Sequence, residues 1–92
     1  MSKAPARLND AVSNSEHGDG NITSGTNTVT FEGQAAACEG DSVTFADETN
    51  GAIQQGNACV MINGKRVALV GDQTTEAGTL QQGASSIKID EG

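Results

Sequence analysis

Apolar side chains recur in spaced pairs along this chain. Val29 and Phe31, Val60 and Ile62, and Ile87 and Ile89 are each separated by one residue, the period of two that sends both members of a pair to one face of a strand. Glu32-Gly33 and Asn63-Gly64 follow the first two pairs directly, placing Gly33, Asn63 and Gly64 where a two-residue hairpin turn needs positive φ. The strand is therefore predicted to fold back into the Ala-rich segment that follows. These six apolar positions are the expected packed positions, core rather than interface.

The same frame is written three times. "GNITSGTNTVTFEG" (20–33), "GAIQQGNACVMING" (51–64) and "GTLQQGASSIKIDEG" (78–92) share Gly-x-Ile/Leu-x-x-Gly-x-x-x-Val/Ile-x-Phe/Ile. Three closing segments, 4–10, 35–41 and 66–72, end in Asp10, Asp41 and Asp72, each 31 residues from the next. A period of this size marks a repeat architecture. The closing Asp residues are expected to bond nearby backbone groups, as Asp does in turns.

The repeat is permuted across the termini, since the chain opens on a closing segment and ends on a strand with none after it. Residues 3–10 are placed to partner that last strand. The predicted result is three equivalent hairpins around an axis, because an open array of three units without polar caps would leave exposed edges. The domain reading is one unit, 1–92, built from segments at about 4–10, 20–41, 51–72 and 78–92, with no effector extension.

Composition supports an all-β class: 12 Gly against one Pro, with short runs containing Val or Ile. A chain of 92 residues with six Val, five Ile, three Leu, two Phe and no Trp or Tyr has a lean core. Ordering the backbone opposes folding by roughly 1–2 kcal/mol per residue, so backbone pairing and a partner are expected to help hold the fold. A net charge of −7 argues against nucleic acid and against attraction to anionic lipid. No stretch approaches the about 18 apolar residues of a membrane span, and "MSKAPARLND" lacks a secretory signal's apolar core. The chain is expected to be made in the cytoplasm without a signal peptide.

Candidate chemistry is sparse. His17 is the only histidine and has no nucleophile-elbow context, so no catalytic residue is assigned and no enzyme is expected. Cys38 and Cys59 show no C-x-x-C spacing and read as small apolar residues on strands. "GDGN" at 18–21 suggests a calcium turn, but setting Gly20 at the sixth position of an EF-hand loop puts Ser15 first and Thr26 twelfth, where Asp and Glu are required. A closed zinc site takes four Cys or His. The positions corresponding to His17 hold Glu48 and, after a loop four residues shorter, Thr75 or Glu76. That set is incomplete for a closed site, His17 reads as an exposed loop residue, and no metal or cofactor residue is assigned.

The closing segments, with "HGDGNITSG", "GAIQQGNACVMINGKRVALVGD" and "GTLQQGASSIKI", resemble the PAAR-repeat family over almost the whole chain. Ala4-Pro5-Ala6-Arg7 is a scrambled version of the name-giving tetrapeptide, and the later copies carry Cys38 and Leu69 where the Arg stands. The resemblance implies a small cone-shaped β protein that caps and sharpens the trimeric β-helical spike of a phage tail, type VI secretion system or related contractile particle. Its base would dock on the spike, one tip per trimer, and its apex would meet the target envelope transiently. The implied location is the virion tail or baseplate, or release with a secretion machine. Family members commonly hold zinc near the apex through His and Cys, and here only His17 matches a ligand-like position. Two other readings stand beside this one: an adaptor linking effectors to the spike, and an extracellular calcium-binding β module.

Overall fold

The computed structural model describes residues 2–91. Met1 and Gly92, the ends of the expected domain, lie outside the described residues. The chain forms β1 (Ser2–Lys3), β2 (Ala11–Ser13), β3 (Gly20–Ile22), β4 (Thr26–Phe31), β5 (Gln34–Ala36) and β6 (Ser42–Thr44). There follow β7 (Asn50–Ala52), β8 (Met61–Ile62), β9 (Lys65–Arg66), a 3-10 turn at Thr75–Ala77, β10 (Thr79–Leu80) and β11 (Ile89–Asp90). The fold is all-β, as its Gly-rich, β-branched composition predicts, within 31 × 25 × 24 Å.

Two hairpins are continuous in sequence. Phe31 pairs with Gln34 in β4 and β5, and Ile62 with Lys65 in β8 and β9. Both central turn residues have positive φ, 52° and 84° at Glu32-Gly33 and 53° and 82° at Asn63-Gly64, the arrangement whose twist matches the flanking strands. The third hairpin is assembled from the two ends of the chain: β1 pairs with β11, Lys3 facing Ile89 and Ser2 facing Asp90. The permuted repeat closes as its sequence predicts.

A second layer closes as well. β10, β2, β3, β6 and β7 form one antiparallel sheet, and single bridges from Ile53 to Thr74 and from Gln73 to Thr79 carry the pairing from β7 round to β10. Closure removes the edges that a small β protein must otherwise protect. Gly20 is needed here because a side chain on it would run into the Thr44 carbonyl and the backbone of Phe45.

Three alanines mark the axis. The amide of Ala6 donates to the carbonyl of Ala68 at 2.8 Å, Ala68 to Ala37 at 2.9 Å and Ala37 back to Ala6 at 3.1 Å. A second cyclic set repeats the pattern one step along, from Leu8 to Ala35, Glu39 to Arg66 and Val70 to Ala4, at 2.9 to 3.0 Å. All three axial alanines are buried. A larger side chain there would overfill the centre, which is why the central Ala survives in every copy while its neighbours vary.

The closing Asp residues fix the turns that leave this ring. Oδ2 of Asp10, Asp41 and Asp72 accepts the amide three residues upstream, Arg7, Cys38 and Leu69, at 2.8, 2.8 and 2.9 Å. The residue before each Asp has positive φ, 74° at Asn9, 87° at Gly40 and 96° at Gly71, a turn geometry that favours Gly or Asn.

The deepest core lies in the closed sheet, not on the hairpins. Val12, Ile22, Val43, Phe45, Ile53 and Leu80 pack with the axial alanines. Ile89 joins a second cluster with Cys38, Ala58, Val67 and Leu69, and Phe31, Ile62 and Ile87 pack on it while half-buried. Val29 is also half-buried. Val60 departs from its expected core place: it is 43% exposed, beside Met61 at 53%. Cys59 departs too, exposed and outside any strand, whereas Cys38 is buried.

Candidate functional site

The two halves of the molecule differ chemically. At one end three loops, residues 14–19, 45–49 and 74–78, leave the closed sheet together. They carry Glu16, Asp19, Asp47, Glu48 and Glu76 without a Lys or Arg. The cations Lys3, Arg7, Lys65, Arg66 and Lys88 all belong to the hairpins and closing segments. The net charge of −7 is therefore concentrated at the loop end, and the hairpin end is close to balanced.

His17 sits among the loops and is half-buried, not fully exposed. Its Nδ1 lies 2.7 Å from Oδ2 of Asp47 and 3.3 Å from Oγ1 of Thr49. Its ring stacks on Phe45 with centroids 6.3 Å apart. The hydrogen bond to Asp47 holds the imidazole pKa above its ordinary value of 6.5 despite some desolvation. Bonds from Thr49, followed by that to His17, hold the Asp47 carboxyl at about 2. The partner of His17 is thus Asp47, not the Glu48 that the 31-residue spacing aligns with it.

Asn14 is the second hub, missed by sequence reasoning. It is 5% exposed, and its Nδ2 donates to the Glu76 carbonyl at 2.7 Å. Its Oδ1 accepts the amides of Glu16 and His17. A buried Asn must have its donors and acceptors met, and among the described residues no buried side-chain polar atom lacks a partner.

The residues here do not fit the zinc site that the family resemblance implies. Cys38 belongs to the hairpin-side cluster and Cys59 is exposed in the segment before β8. Burial pushes the Cys38 thiol up, away from the thiolate a metal takes. Among the described residues no group of three or more His, Cys, Asp or Glu side chains comes together.

The closing carboxylates differ in what surrounds them. Arg7 clamps Asp10 with Nε to Oδ2 and Nη2 to Oδ1, both at 2.9 Å, and Nη1 reaches Glu32 at 3.2 Å. Asp41 takes the Ser24 hydroxyl instead. Asp72 accepts the Leu69 amide, and desolvation pushes its pKa up. Glu32 also accepts both the amide and the hydroxyl of Ser86, tying the first hairpin turn to the third unit; these bonds hold its carboxyl low. A polar cleft of about 320 Å³ in the second unit is lined by Gln55, Gly56, Asn57 and Arg66. It brings together no nucleophile and base.

At the hairpin end, the turns at Gly33 and Asn63-Gly64 and the exposed Val60 and Met61 face solvent. No helix among the described residues is long and apolar enough to cross a membrane. The three hairpins close about an axis, with a hairpin end close to charge balance and an acidic loop end. A family model for the PAAR motif matches residues 12–82, and the chain belongs to the PAAR-motif family. That family is associated with spike-tip proteins of contractile injection systems and is a structural family, not an enzyme family. A comparison with curated proteins found no match.

Proposed function

We propose that this chain is the non-enzymatic tip of a contractile particle, one copy seated by its hairpin end on a trimeric β spike. The loop end then leads through the target envelope when the particle fires. The observation that carries this reading is the cyclic set of backbone hydrogen bonds through Ala6, Ala37 and Ala68. A threefold spike ends in three equivalent strand ends, and a single polypeptide with threefold backbone symmetry meets all three at once. Strand addition and apolar contact supply the binding. Exposed Val60 and Met61 give the hairpin end the apolar surface such a contact needs, and the carboxylates of the loop end disfavour seating the other way on an apolar strand end.

Capture by immobilised spike trimer, taken from the particle that carries this chain, tests the reading. The unaltered chain is retained, and a Val60→Glu, Met61→Glu variant that melts like the parent is not. No retention of the unaltered chain, or equal retention of the variant, would overturn it.

A further inference from the structure

The loop end raises the question of what holds three short loops together. A single ion can do so only if each loop brings a ligand, and a structural zinc takes four such donors, Cys or His above all. This chain brings one imidazole, and its Nδ1 is already turned to Asp47 and Thr49. Both thiols lie elsewhere.

Every pair of loops is nevertheless joined. The first and second meet through the His17 ring, bonded to Asp47 and stacked on Phe45, and through the Asp47 amide, which donates to the His17 carbonyl at 3.1 Å. Asp47 is itself fixed by accepting the Thr49 amide at 2.9 Å. The first and third meet through Asn14, whose amide group donates to the Glu76 carbonyl at 2.7 Å. The second and third meet where the Phe45 ring lies against Gly78, so closely that any side chain at Gly78 would strike it. Thr75 ties the third loop back to the sheet by accepting the Ala52 amide at 3.0 Å.

We propose that the loop end of this protein is closed without a metal ion, by a lattice of Asn14, His17, Phe45 and Asp47 that cross-links the loops pairwise. Each member serves two contacts. Asn14 gathers the amides of Glu16 and His17 while reaching the third loop. Phe45 serves as floor for the His17 ring and as wall for Gly78. Removing one member therefore loosens two of the three loops. A chelator has nothing to remove.

Elemental analysis and melting of the full chain, prepared with zinc in the growth medium, test this. The purified chain carries far less than one zinc per molecule, and its melting curve is the same with excess EDTA and with added zinc. His17→Gln and Asp47→Asn each lower the melting temperature by a few degrees, and Asn14→Ala lowers it further. Near-stoichiometric zinc, or a fall in melting temperature with EDTA, overturns the proposal. So does a zinc-free chain whose melting none of the three substitutions moves. The metal measurements need no variant, so a substitution that fails to fold leaves the test intact.

Discussion

The amide of Ala37 donates to the carbonyl of Ala6 at 3.1 Å, across a sequence separation of one full repeat. Two more bonds of the same kind, through Ala68, return the path to its start. A repeat that would otherwise propagate is thereby closed, and the closure sets where the core lies and how the two ends of the molecule differ.

The axial alanines are buried against the inner core. Ala37→Val forces added methyl groups against Ala6, Ala68 and the neighbouring core, and is expected to cost about 1–3 kcal/mol. Urea unfolding measures it. The same change at half-buried Ala35, in the hairpin strand β5, is expected to shift the midpoint much less.

The three closing carboxylates should respond unequally to substitution. Arg7→Ala leaves the Asp10 carboxylate, 5% exposed at its side chain, without its guanidinium partner, and is expected to destabilise by roughly 2–3 kcal/mol. Asp72→Asn keeps an oxygen for the Leu69 amide and removes a charge that burial already disfavours. Its effect is expected to stay within about 1 kcal/mol at neutral pH. Equal losses in the two variants, read by chemical denaturation, would contradict the unequal surroundings of the two carboxylates.

Stability should depend on pH through the pair of His17 and Asp47. The folded imidazole pKa lies above 6.5, so its contribution is complete below that value and is lost as pH rises through the raised folded value. The folded Asp47 pKa of about 2 lies below its ordinary 3.8, so that contribution is present above 3.8 and is lost as pH falls through about 2. The pair therefore helps most between those two ordinary values. Melting temperatures taken from weakly acidic to alkaline pH check this: the parent loses a few degrees at the alkaline end and Asp47→Asn loses less. Both groups are solvent-accessible, so added salt shrinks the difference.

Much of this fold is legible because its requirements are local. Positive φ falls on Gly or Asn at 33, 40, 63, 64 and 71, and period-two pairs mark strands, so the repeat, its permutation and the β1 to β11 pairing follow from local residue types. The inner core shows a signal of the same kind, in Val12, Val43 and Thr74, each two residues after a closing Asp and each buried. Periodicity could have found these positions. It could not place Val60, which follows the frame yet is exposed: β8 is only two residues long and does not carry the packed face back that far. Nor could it find the lattice at the loop end. Asn14 and Phe45 occupy the same place in successive repeats, yet one gathers amides and the other supports a ring. The first two loops are equal in length, so alignment points from His17 to Glu48, yet the ring reaches across to Asp47.

Native mass spectrometry of this chain mixed with the intact spike trimer is the most direct measurement of whether internal threefold symmetry serves to cap a threefold end. A complex of one copy of this chain with three spike chains, unchanged when this chain is in excess, is expected. Three copies bound per trimer, or free trimer only, would contradict it.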